Sequence, residues 1–205
     1  MPCSATGSPQ VGQSKRIGVL ALQGAFSAHA ERFAELGASV FEVRTPADLV
    51  GLDGLVMPGG ESTTMSRLLV TSGLFDELKG RLADGFPVFG TCAGMILLAT
   101  DVLDGRPDQV SFGAIEMTVR RNGYGRQVDS FETDLDISGF GPDEPPFHAV
   151  FIRAPIVVSA APDVEVLARH DDRVVLARHD AVFVASFHPE LTADARLHAR
   201  FLQEV

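Results

Sequence analysis

The chain has 205 residues, 45% of them hydrophobic, with 27 acidic against 17 basic side chains and a net charge of −10. Length and composition fit one globular domain with a sizeable core. The acidic balance argues against nucleic acid or an anionic membrane surface as the main partner, since both reward clustered Lys and Arg. No apolar run approaches the ~18 residues of a membrane span.

Met1 to Ser14 is rich in Ser, Gly, Pro and Gln and lacks the charged and apolar segments of a secretory signal. It reads as a disordered tail (residues 1–14) before a single domain spanning 15–205. Cys3 in this tail and Cys92 far downstream do not make a disulfide framework, so a reducing, cytoplasmic setting is expected. Ile17 to Leu22 is a β-branched apolar run and reads as a buried strand. Ser27 to Leu36 has helical spacing and stops at Gly37. Val40 to Val43 and Leu55 to Met57 are further strands, the second broken by Pro58-Gly59-Gly60. Helices are expected over Thr63 to Val70 and Leu74 to Ala83, then a strand at Pro87 to Phe89 and a helical run Met95 to Ala99. Strands alternating with helices at this spacing predict parallel βαβ units.

After about Asp101 short strands follow one another. They are Ile115 to Val119, Ala149 to Ile152, Ile156 to Val158, Val164 to Ala168, Val174 to Ala177 and Val182 to Ser186. Pro142 to Pro146 reads as a loop, and Asp194 to Glu204 closes as a helix. The expected architecture is an α/β fold with an open, mostly parallel sheet, helices on both faces, and an antiparallel elaboration in the second half. In such sheets ligands sit at the carboxyl ends of the strands. The loops after Met57, Phe89 and Ser186 all open there.

The chemistry concentrates in two of those loops. Gly90-Thr91-Cys92-Ala93-Gly94 places a thiol on a tight strand-to-helix turn among small residues, the form of a nucleophile elbow. A helix N-terminus beside it favours thiolate. Ser186-Phe187-His188-Pro189-Glu190 supplies a base with a carboxylate two positions on. In extended chain, residues i and i+2 point the same way, so Glu190 can hold one imidazole nitrogen while the other faces the thiol. The remaining histidines (His29, His148, His170, His179, His198) lack HxxxH or CxxC spacing, so no metal is expected. Pro58 to Thr64 is a glycine turn feeding a helix. Its amides suit half of an oxyanion hole, or it is a plain turn capped by Ser62 or Thr63. The loop Arg120 to Gln127 is basic and glycine-punctuated, as solvated loops often are. Arg153, following a buried strand, calls for a carboxylate or a ligand.

Gly90 to Gly94 together with His188-Pro189-Glu190 resembles the class I (triad) glutamine amidotransferases. Leu22-Gln23-Gly24, Pro58 to Met65 (PGGESTTM), Arg121 to Glu132 (RNGYGRQVDSFE), Phe151 to Pro155 (FIRAP) and Ser186 to Thr192 (SFHPELT) resemble, within that group, the glutaminase subunits of pyridoxal 5′-phosphate synthase. The resemblance implies a flavodoxin-like fold and hydrolysis of L-glutamine through a cysteine thioester. It implies Cys92 as nucleophile, His188 as base and Glu190 as its orienter. Gly60, Glu61, Ser62, Arg121, Ile152 and Arg153 fall on glutamine-binding positions, and the Gly60 and Ala93 amides on the oxyanion hole. Gln23 falls near that hole, on the face turned to the synthase. Gly123 stands where the family more often carries a side chain. No cofactor is implied for the glutaminase. Its implied partner is a synthase subunit that joins the ammonia to ribose 5-phosphate and glyceraldehyde 3-phosphate. A triad glutaminase serving another acceptor synthase, and a non-catalytic binding module on the same fold, are the alternatives.

Overall fold

The computed structural model describes residues 14–121 and 130–205. The expected tail through residue 13, with Cys3, and residues 122–129, with Gly123 and most of the basic loop, lie outside the described residues. Ser14, assigned to the tail from sequence, is instead tied to the domain through its hydroxyl, which donates to the Gly37 carbonyl.

The first half runs β1 (Arg16–Leu20), α1 (Phe26–Glu35), β2 (Ser39–Val43), β3 (Gly54–Met57), α2 (Ser62–Thr71), α3 (Leu74–Ala83), β4 (Val88–Thr91) and α4 (Ala93–Leu98). The second half runs β5 (Ala99–Leu103), β6 (Ile115–Arg120), β7 (Ser130–Leu135), β8 (Phe147–Ile152), β9 (Ile156–Ala160), β10 (Glu165–His170), β11 (Arg173–His179), β12 (Val182–Ala185) and α5 (Arg196–Glu204). Short 3₁₀ turns occupy Pro46–Leu49 and Pro189–Leu191. Every expected strand and helix is present within a few residues of its expected bounds. The final helix starts at Arg196 rather than Asp194, because Asp194 Oδ1 accepts the Arg196 backbone N–H and marks its entry.

A seven-stranded sheet in the order β10-β11-β12-β4-β3-β1-β2 forms the frame. The strands from β12 to β2 are parallel, and β11 and β10 fold back antiparallel at one edge. Alternation along each strand sends neighbours to opposite faces. Leu55, Met57, Val88 and Val184 join one core with Met65 and Leu69 of α2, Leu78 of α3 and Met95 of α4. Val56, Phe89 and Phe183 join the other with Phe33 of α1 and Phe201 of α5. Both faces are therefore covered, as a buried parallel sheet requires. Two smaller sheets, β5-β6-β9 and β7-β8, make the elaboration of the second half; β6 with β9 and β7 with β8 are antiparallel, whereas β5 runs parallel to β6.

The elbow is crowded by construction. Cys92 has φ 49° and ψ −101°, a region non-glycine residues rarely occupy, at a cost of about 1–3 kcal/mol. A Cβ on Gly90 would lie 2.7 Å from the Gly94 carbonyl carbon, and one on Gly94 would lie 2.1 Å from the Met57 carbonyl oxygen. Small residues here let α4 start directly against β3. Gly94→Ala should therefore push α4 off β3 and destabilise the fold by about 1–3 kcal/mol, as overpacking does. Urea unfolding measures this, and an unchanged midpoint would mean that the contact is not tight.

Candidate active site

Three strand ends build the site. β4 ends at Cys92, whose backbone N–H donates to the Ala185 carbonyl at 2.8 Å, locking the elbow to β12. β12 leads into His188, whose N–H donates to the Val150 carbonyl of β8 at 2.9 Å. β3 leads into the glycine turn, where a Cβ on Gly59 would lie 2.3 Å from His188 Cε1 and 3.3 Å from Cys92 Cβ. Thiol, imidazole and turn therefore pack on one another. Cys92 and His188 are 7% and 8% exposed, enough for a small molecule to reach the reactive atoms and too little for free solvation.

His188 packs beside the Cys92 side chain, and its Nδ1 lies 2.7 Å from Glu190 Oε1. Burial pushes the imidazole down from its ordinary 6.5, but the Cys92 thiol and the Glu190 carboxylate outweigh burial and raise it to about 10. Burial likewise pushes the Glu190 carboxyl up, and His29 and His188 outweigh it to hold the group well below its ordinary 4.5. The segment is not the extended strand expected from sequence. His188 itself is nearly extended, at φ −110° and ψ 85°, and Pro189 then opens a 3₁₀ turn that carries Glu190. The turn brings the carboxylate back to its own histidine.

A cavity of about 270 Å³ opens over the thiol, at the small end of ligand sites. Gly60, Glu61 and Ser62 line it on one side, Arg121 on another, and Ile152, Arg153 and His188 on a third. The Ile152 carbonyl oxygen is 3.9 Å from Cys92 Sγ. Ala93 is buried one residue beyond the nucleophile position, as the first residue of α4. Gln23 Oε1 accepts the Glu61 N–H at 3.2 Å, fastening the glycine turn to the loop after β1.

The helix after that turn is not capped by Ser62 or Thr63. Glu61 caps it, its carboxylate accepting the N–H groups of Thr63 and Thr64. Burial raises the Glu61 carboxyl, while the hydroxyl and N–H of Thr64 and the N–H of Thr63 hold it down at about 2. The same carboxylate grips Arg121 Nη2 at 2.8 Å, and Arg121 Nη1 donates to Thr63 Oγ1 and Gln109 Oε1. Arg121 is thus a held cation at the cavity wall, not a solvated loop residue. Gln109, which sequence reasoning passed over, also reaches the Ser62 hydroxyl at 3.5 Å. Arg153 adopts φ 45° and makes no ion pair among the described residues, which leaves its guanidinium at the cavity rim. A roomier groove of about 690 Å³ runs along α5 near Phe140 and Arg200, away from the thiol. Among the described residues no group of three His, Cys, Asp or Glu side chains could hold a metal ion, and no helix is long and apolar enough to cross a membrane.

The chain is similar to known proteins over almost its whole length. It is 54% identical over 190 residues to the pyridoxal 5′-phosphate synthase subunit PdxT of Frankia alni, covering 93% of this chain and 94% of that one. It is 52% identical over 196 residues to the protein of the same name from Rhodococcus jostii, covering 92% and 96%. A solved glutamine amidotransferase superposes with a TM-score of 0.86 at 48% identity, over 92% of this chain and 97% of that one. A putative GMP synthase component from Thermoplasma acidophilum shares the fold at a TM-score of 0.65 and 18% identity, over 93% and 94%. The model of the SNO glutamine amidotransferase family matches residues 19–205, and the chain belongs to that family.

Proposed function

We propose that the protein is the glutaminase subunit of a pyridoxal 5′-phosphate synthase, hydrolysing L-glutamine to L-glutamate and ammonia and passing the ammonia to a synthase subunit in the cytoplasm. Residues 15–205 act as one amidotransferase domain. The observation that carries this is the packing of one thiol beside a carboxylate-held imidazole in the lining of a small cavity.

Glutamine enters with its amino-acid end toward Arg121, Arg153 and the Gly60–Ser62 turn. Its side-chain amide lies over Cys92. With His188 holding the proton, the Cys92 sulfur attacks the amide carbon as thiolate. The carbonyl oxygen takes up the electron pair and faces the Gly60 and Ala93 amides, each such donor being worth on the order of 10²–10³ in rate. His188 protonates the leaving nitrogen, the C–N bond breaks, and ammonia departs from a thioester. His188 then takes a proton from water, which attacks the thioester carbon and releases glutamate. Glu190 keeps the imidazole turned toward sulfur throughout. Gln23 braces the turn that carries Gly60.

Cys92→Ala should abolish glutamate release while glutamine binding, read by calorimetry, persists. The wild-type chain should be slow alone and much faster with the synthase subunit. Turnover by Cys92→Ala, or a wild-type chain inactive in both settings, would overturn the proposal. The His188 ion pair has its own signature. An imidazole raised from 6.5 to about 10 stabilises the folded state below about 6.5, and that contribution is lost as pH rises through about 10. The urea-stability gap between wild type and His188→Asn should shrink over that range. A gap constant with pH would contradict the ion pair.

A further inference from the structure

Behind Glu190, away from the cavity, lies a run of buried polar groups that take no part in the steps at sulfur. Glu190 Oε1 is taken by His188. Oε2 is fully buried and makes no aligned hydrogen bond among the described residues; its close polar neighbour is Nε2 of His29, 3.2 Å away. His29 comes from α1 and is itself fully buried. The same Nε2 lies 3.1 Å from Thr91 Oγ1 at the end of β4. On its far side, His29 Nδ1 lies 3.0 Å from Nε2 of His198, from α5. His198 Nδ1 has no partner and is enclosed by the Phe33 and Phe89 rings, at 5.0 and 6.1 Å.

Donor counting orients this run. Burial pushes the His198 imidazole down to about 3, so it carries a single N–H. On Nδ1 that proton would be a buried donor without a partner, the costlier arrangement. On Nε2 it donates to His29 Nδ1. His29 Nδ1 is then an acceptor, and the His29 proton sits on Nε2, between Glu190 Oε2 and Thr91 Oγ1. The His198 N–H therefore points at His29, whose Nε2–H meets Thr91 Oγ1 and lies beside the carboxylate that holds His188.

We propose that His29 is a positioning residue for the glutaminase reaction, the polar neighbour that steadies the second oxygen of Glu190, with His198 setting its tautomer; this rests on the glutaminase assignment above. Without it, a buried carboxylate oxygen loses its close polar neighbour, and the carboxylate is free to turn or take up a proton and release His188 Nδ1. The chemistry at sulfur then loses its aligned base, while the glutamine contacts across the cavity stay intact.

The test is glutamate release by the full chain with the synthase subunit, beside wild type and Cys92→Ala. His29→Leu removes the donor at similar volume. Its kcat should fall about 10–100-fold, the usual effect of removing an outer partner of a functional side chain, with KM within about twofold. His29→Gln places an amide N–H near the Nε2 position and should recover most of the loss. The downfield proton resonance of His188 Nδ1–H should shift in His29→Leu and return in His29→Gln. Wild-type kcat in a folded His29→Leu, or no recovery in His29→Gln, overturns the proposal. Should His29→Leu fail to fold, His29→Asn, whose amide is one methylene short of Glu190, takes its place. An Asn variant as active as the Gln variant overturns the proposal, and one much slower supports it. Wild type releasing no glutamate overturns the glutaminase assignment itself, and this inference with it.

Discussion

Cys92 and His188 are far apart in the chain, and the parallel pairing of β12 with β4 is what brings them together. Val184 pairs with Gly90 and Ala185 with Thr91, so both strands end at the same level of the sheet. The Cys92 N–H then bonds the Ala185 carbonyl, which fixes the elbow against the strand that delivers the histidine. A register slip of one residue would turn Phe183 and Phe89 out of their shared core and separate thiol from base. The aromatic packing beneath the sheet, with Phe89 against Phe183 at 5.2 Å, is therefore also what aligns the reacting groups.

The same crowding that strains Cys92 makes its position definite. A φ of 49° persists because β4, α4 and the Met57 carbonyl leave the backbone no relaxed alternative. The thiol is then presented at the mouth of the sheet instead of sinking into the core, where a free cysteine usually packs. Stability and reactivity are linked at this turn. The glycines at 90 and 94 add nothing to the apolar core, and their lack of side chains is what the geometry uses.

Much of this was legible from residues alone. β1, β3, β4 and β12 are short β-branched or aromatic runs between turn residues, and burial on both faces makes such runs easy to recognise. β5 was not expected, because Thr100 and Asp101 lie exposed on a small sheet where apolar patterning is weak. β7 escaped for a related reason: Ser130, Glu132 and Asp134 face solvent in a two-stranded ribbon. Preference rules put Ser or Thr at the start of α2, but the carboxylate of Glu61 is long enough to reach two backbone N–H groups and Arg121 at once, and that tertiary pairing decides the cap. The grouping of Cys92, His188 and Glu190 showed itself through local motifs. Gln109 and His29 did not, because each reaches the site from an element with no distinguishing spacing.

The run from His198 through His29 to Glu190 has a further physical consequence. A carboxylate removed from water is costly unless both oxygens find donors. His188 alone could satisfy one oxygen, and it must also serve sulfur, so its proton cannot be committed wholly to Glu190. In the proposed reaction, the polar contact of His29 behind the carboxylate helps the ion stay charged while His188 gains and loses its proton at the other nitrogen. Phe33 and Phe89 pack against the outer histidine and keep water from competing for those donors. The aromatic face of the sheet thus sets the dielectric around Glu190 and His188, and α1 and α5, which touch no part of the cavity through their histidines, belong to its electrostatics.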